Sequence, residues 1–149
     1  MTENYKNMLE KGLEFQDFVT DILIKEIGIS LSSYNSIKYQ NTKGENKQGF
    51  EIKFDDKYKE TGNIYIEIAE KSHPDNLSYV WSGIFRNDNT WLYLIGNYSE
   101  IFIFSKQHLK LMYKSNKLKE VTTATSKGFL IDRLTAEKYC IKKLVLQNN

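Results

Sequence analysis

Glu51, Lys53 and Asp55 alternate with Phe50, Ile52 and Phe54, and Glu67 and Lys71 belong to a second run whose apolar members are Ile64, Ile66 and Ile68. Successive side chains of an extended chain point to opposite faces, so each run sends its charges one way and its apolar groups the other. The link 56–62 ends in Thr61-Gly62 and is short enough to join the runs as an antiparallel hairpin. With the turn centred near residues 59–60, Lys53 stands opposite Glu67, and Glu51 and Asp55 flank it by one pleat each. Three carboxylates and two ammonium groups then share a small region. Clustered carboxylates repel unless a cation joins them, and a hard divalent ion with oxygen ligands is the usual occupant. The competing reading is an ordinary solvated edge hairpin on which opposite charges pair across strands.

Glu51 and Glu67 are separated by 16 residues, and Asp55 and Glu67 by 12. Either pair resembles the acidic pair on the central hairpin of the PD-(D/E)XK nucleases. Gly12-Leu13-Glu14-Phe15-Gln16, ahead of an apolar helical run, is similar to the acidic element on that family's first helix. Ser82-Gly83-Ile84 followed by residues 90–104 suits the loop and two strands after its hairpin, so the resemblance spans roughly residues 8–115. It implies a restriction-endonuclease-like core, an α/β (α+β) fold with a mixed, mostly antiparallel sheet flanked by helices. It also implies a deoxyribonuclease dependent on Mg²⁺ (or Mn²⁺), with DNA as partner. Glu67 and either Asp55 or Glu51 would be metal ligands, Glu14 would support them from the helix, and Lys53 or Lys71 would be the catalytic ammonium. One departure stands out: Ala69 occupies the position two after Glu67 where the family carries lysine, while Glu51-Ile52-Lys53 forms a literal (D/E)XK string. Gly49-Phe50 also replace the family's proline. The displaced lysine motivates an alternative, a nuclease fold kept as a nucleic-acid-binding or protein-binding module.

The elements that must position these groups are read from periodicity. Leu9, Leu13, Val19, Ile22, Leu23 and Ile27 recur at intervals of three or four, which predicts an amphipathic helix over 5–27 stopped by Gly28. That helix is expected to cover the hairpin, burying Phe50, Ile52, Ile64 and Ile66 against Leu13, Val19 or Leu23. A weak strand signal lies near 36–39. After Pro74 a loop or short helix runs through Trp81-Ser82-Gly83-Ile84, and strands over 90–95 and 100–104 flank the hairpin chemistry of Gly96-Asn97-Tyr98-Ser99. Ser105 suits the cap of a helix over 106–113, an extended stretch lies near 128–131, and a short helix starts at Thr135.

A chain of 149 residues is expected to form one domain, 1–149, with a core that needs no disulfide. Its net charge of +2 neither demands nor excludes a nucleic-acid partner, so any basic surface must be local. Lys106, Lys110 and Lys114 lie in the densest basic segment, and with Arg86 and Lys127 they are the candidate phosphate contacts; a solvated lysine face is the competing reading. His73 and His108 lack neighbours of ligand type, and the lone Cys140 excludes an internal disulfide or thiolate zinc cluster. The absence of an apolar leader or of a run approaching ~20 apolar residues predicts a cytoplasmic protein without a membrane partner. The sequence leaves oligomeric state open, a homodimer included.

Overall fold

The computed structural model describes residues 3–27, 49–115 and 117–146. The chain opens on helix α1 (Glu3–Ile27), and then β1 (Phe50–Phe54), a single helical turn α2 (Tyr58–Thr61) and β2 (Asn63–Glu70) follow. The short strand β3 (Val80–Trp81) leads into a 3₁₀ turn at Gly83–Phe85, then β4 (Leu92–Gly96) and β5 (Glu100–Ser105). Helix α3 (Lys106–Lys114), β6 (Lys119–Thr122), β7 (Ser126–Asp132), α4 (Arg133–Tyr139) and β8 (Lys142–Val145) complete it. The signal near 36–39 lies outside the described residues.

Two four-stranded sheets form, ordered β1-β4-β5-β8 and β3-β2-β7-β6. Apart from the parallel pairing of β1 with β4, all the pairs are antiparallel. The expected hairpin of residues 50–71 is therefore not made: its two strands exist but belong to different sheets. The link does not reverse the chain tightly. Tyr58–Thr61 instead winds one helical turn that ends on Gly62 in the left-handed conformation (φ 71°), the residue type that conformation favours. The Gly62 N–H donates to the Tyr58 carbonyl at 2.8 Å, and β2 leaves in a new direction.

Alternation in β1 fixes what each face of the first sheet meets. Phe50 and Ile52, with Leu94, Ile101, Ile103 and Leu144 of neighbouring strands, pack against Phe15 and Val19 of α1. The expected cover of β1 by α1 is thus present; Leu13 is half-buried, and the side chain of Leu23 lies outside the described residues. Ile64, Ile66 and Ile68 turn the other way, into a second core with Tyr93, Ile95, Phe102 and Phe104 of the first sheet and Phe129 and Ile131 of β7. Helix α3 closes this core with Leu109 and Met112, its start capped where Ser105 Oγ accepts from His108 N at 2.9 Å. The first sheet is consequently buried on both faces, by α1 on one and by the second sheet on the other.

Ile66 lies 2 % exposed in the inter-sheet core. Ile66→Ala should cost about 2–5 kcal/mol in urea unfolding, as deletion of buried methyl groups does. A loss under about half a kcal/mol, the scale of a surface change, would contradict this placement.

Candidate functional site

Although β1 and β2 are unpaired, their polar faces meet. Side chains of both strands line a cavity of about 550 Å³, formed by Lys53, Asp55, Tyr65, Glu67, Gly83 and Tyr93 together with Val121 of β6. Asp55 makes the junction. Its Oδ1 accepts from Tyr58 N at 3.1 Å and its Oδ2 from Tyr65 N at 2.9 Å, so one carboxylate caps α2 and clamps β2 to the end of β1. Burial raises its pKa, and these amide hydrogen bonds oppose the rise. Both oxygens of Asp55 therefore accept backbone amides.

Glu51 faces the inside of the first sheet and is 4 % exposed. Lys53, one pleat along the same face, pairs with it at 3.0 Å. The Tyr93 hydroxyl is buried beside this carboxylate without a hydrogen bond of ordinary geometry; burial first, and then the Glu51 charge, push its pKa far above the usual phenol value. Glu67 is held at both oxygens: Ser82 Oγ donates to Oε2 at 3.0 Å and Ser126 Oγ to Oε1 at 3.2 Å. Ser126 also hydrogen-bonds the Tyr65 hydroxyl. With its own proton given to Glu67, Ser126 must accept from Tyr65, giving a directed chain from phenol to carboxylate. Burial raises the Tyr65 pKa, the Ser126 contact works against that rise, and the Glu67 charge adds to it.

Arg86 joins the two acids electrically. Burial works against its charge, but Glu70, Glu51, Glu67 and Asp88 together outweigh that and raise its pKa. Its Nη2 pairs with Glu70 Oε1 at 3.2 Å. The backbone of Glu67 is fixed by close approach: Gly83 (φ 54°) lies so near that a Cβ there would stand 2.1 Å from the Glu67 carbonyl oxygen.

Other expected site residues lie elsewhere. Lys71 does not share the face of Glu67. Between Glu67 and Ala69 the register with β7 slips by one residue, a bulge that sends both Ile68 and Ala69 into the core and turns the following side chains over. Glu70 thereby follows Glu67 on the outer face, while Lys71 Nζ donates to Asn76 O at 3.0 Å and sits over the Tyr79 ring. Glu14 is exposed on α1, across the first sheet from the cavity, and its charge is felt by Tyr98 instead. Helix α1 packs on the Phe50/Ile52 face, and the α1 residues that line a cavity with Lys53 are Met8, Leu9, Lys11, Gly12, Leu13 and Gln16 rather than Glu14. Its neighbour Gln16 is buried rather than exposed.

Lys106 also has a structural task. It is 7 % exposed, and its Nζ donates to Arg86 O at 2.7 Å and to Asp88 Oδ1 at 3.0 Å. Lys114 is exposed, and Lys110 and Lys127 are half-buried, the latter 3.7 Å from Glu120.

Among the described residues, no group of three Asp, Glu, His or Cys side chains is placed to hold a metal together. Of the expected acids, Asp55 and Glu67 line the cavity with Lys53, and Glu51 pairs with Lys53 beside it, while the charges of Glu51 and Glu67 both act on Arg86. Sequence reasoning missed Tyr65, Tyr93, Ser82 and Ser126. Tyr65 could have been found, since it alternates in phase with Glu67; the serines carry no sequence signal, because their meeting depends on how β3 and β7 flank β2. Compared with known protein families, curated proteins and solved structures, the chain matches none. Among the described residues no helix is long and apolar enough to cross a membrane.

Gly83→Ala should force the Glu67 backbone away and lower the unfolding midpoint, whereas Gly12→Ala, in open space on α1, should not. Equal midpoints for the two variants would contradict the close approach. Asp88 supplies a pH dependence. Burial alone would raise its pKa, but hydrogen bonds from Lys106 and Thr90 hold it below the ordinary value. A depressed pKa contributes stability above the unfolded value, and that stability is lost as pH falls through the folded one. Asp88→Asn should therefore be less stable than wild type at neutral pH and show a flatter loss below about pH 4. Parallel acid limbs would contradict it.

Proposed function

We propose that the cavity binds a phosphodiester of DNA and promotes its hydrolysis, as in a restriction-endonuclease-like nuclease that has Glu51 and Glu67 as its carboxylates and Lys53 as its ammonium. The observation that carries this reading is the pairing of Lys53 with Glu51 at 3.0 Å beside the cavity that Glu67 lines. It supports Glu51-Ile52-Lys53 as the acid–lysine string, and it favours Glu51 over the clamped Asp55 and Lys53 over the diverted Lys71.

The donor set suits Mg²⁺ or Mn²⁺. Mg²⁺ is commonly held by only one or two carboxylates, with waters and substrate phosphate completing its six oxygens, so a full protein cage is unnecessary. Such an ion, held by Glu51 and Glu67, would supply Lewis acidity and a water of lowered pKa. The chain's own groups do the rest. Lys53 places positive charge where the phosphoryl oxygens gain negative charge, and Arg86 adds to the same field. Ser82 and Ser126 fix the direction of the Glu67 carboxylate, as partners behind a metal ligand do. Helix α1 on a mixed sheet that carries the acid–lysine string supports a restriction-endonuclease-like core; the division of β1 and β2 between two sheets weighs against it.

A binding module without hydrolysis is the second reading. It is favoured by Asp55 and Lys71, two residues of the expected site that serve the fold instead.

Plasmid and single-stranded DNA incubated with the protein and Mg²⁺ or Mn²⁺ test the two. Glu67→Gln, which keeps size but removes charge, should leave the fold intact and reduce cleavage by orders of magnitude. Lys53→Ala should approach that defect, and Ser82→Ala should lose about 10–100-fold. Cleavage by Glu67→Gln equal to wild type would show that the site is wrong. No cleavage by wild type under any divalent ion would leave the binding module as the better reading.

A further inference from the structure

Trp81 is 64 % exposed at the edge of the second sheet, although indole is among the side chains most readily buried. It pairs with Ala69 of β2, which in turn pairs with Lys127 of β7, so Trp81 and Lys127 share one face. The Trp81 ring rests on Phe85 with centroids 5.0 Å apart, and Lys110 Nζ stands 5.8 Å from the centre of the Phe85 ring. Two residues before Trp81, Tyr79 carries Lys71 Nζ at 4.9 Å and Lys127 Nζ at 5.4 Å from its ring centre. Aromatic faces and ammonium groups thus alternate along an open ledge. The next residue after Trp81 is Ser82, whose hydroxyl holds Glu67.

We infer that this ledge, Tyr79, Trp81 and Phe85 with Lys71, Lys110 and Lys127, binds a single-stranded stretch of nucleic acid. An indole open to solvent offers a stacking face to any base, and lysines beside it answer the phosphates that link successive bases. Duplex DNA keeps its bases stacked on each other and presents no free face to Trp81, which is why the unpaired strand is the occupant. The choice of nucleic acid rests on the phosphodiesterase reading above, and the inference adds the strandedness of the ligand and the surface that takes it.

The test uses the full chain in EDTA, so that binding is read without cleavage. Fluorescence anisotropy of a labelled oligothymidylate of about 12 nucleotides, within the usual range of single-strand site sizes, reports affinity. Wild type should bind the oligonucleotide more tightly than a duplex of the same length. Trp81→Ala should weaken binding about tenfold, Trp81→Phe should restore much of it, and Trp91→Phe, at the other exposed tryptophan, should change nothing. Neutralising Lys110 and Lys127 to Gln should lower the logarithmic salt slope by about 1.4. Binding unaffected by Trp81→Ala, an equal or stronger preference for duplex, or no binding of the oligonucleotide would each overturn the inference. The two readings fail separately: a ledge that binds in a protein that never cuts refutes hydrolysis alone, and cleavage untouched by Trp81→Ala together with unchanged binding refutes the ledge alone.

Discussion

The Asp55 carboxylate is the constraint on which the arrangement of the molecule turns. One of its oxygens receives the amide of Tyr58 and the other the amide of Tyr65, so it starts the helical turn after β1 and fastens the strand that follows it. That double attachment ties β2 to the end of β1 although the two strands pair into different sheets. The burial that raises the Asp55 pKa works against its charge, and the two backbone hydrogen bonds offset that effect. The cavity between the two strands, lined by Lys53 and Glu67, is the consequence.

What fills the neighbourhood of Glu67 follows from the position of β2 between two partners. On one side β7 brings Ser126, and on the other the chain after β3 brings Ser82 and the close-fitting Gly83. A carboxylate held by two hydroxyl groups has little freedom to turn, which suits a group that must face a ligand and costs side-chain entropy that the surrounding packing has already met. The bulge after Glu67 separates the roles of neighbours: Ile68 and Ala69 complete the core, Glu70 meets Arg86, and Lys71 is moved to the ledge of Tyr79. A single slip in register thus divides the cavity from the aromatic ledge.

Much of the local structure was legible in the sequence. The three-to-four spacing of Leu9 through Ile27 corresponds to α1, the alternation around Ile52 and Ile66 to β1 and β2, and the caps and turn at Ser105 and Gly96–Ser99 to the start of α3 and the hairpin of β4 and β5. These signals depend on neighbours in the chain. The parallel pairing of β1 with β4 does not, since its partners are some 42 residues apart, Phe50 with Leu92. The same limit hid the bulge, because an alternating run carries no mark of where its partner strand slips. Strands β6 and β8 escaped notice because Lys119-Glu120 and Lys142-Lys143 break the apolar alternation, as charged residues on edge strands do. The turn at Tyr58–Thr61 could have been read, since Gly62 directly after a run of helix-tolerant residues is a stop signal.

The site was legible as residue types but not as a geometry. Lys53 and Glu67 line one cavity without a hairpin, and Glu51 pairs with Lys53, whereas Lys71 and Lys106 were assigned by spacing and have other partners. The central claim is that Glu51 and Glu67 form one divalent-ion site, and anomalous scattering from a crystal soaked in Mn²⁺ tests it most directly. The account predicts one strong peak in the cavity, about 2.0–2.3 Å from an oxygen of Glu51 and an oxygen of Glu67 and lost in Glu67→Gln. A peak bound to Asp55 or Glu14 instead, or a cavity empty at Mn²⁺ concentrations that support cleavage, would contradict it.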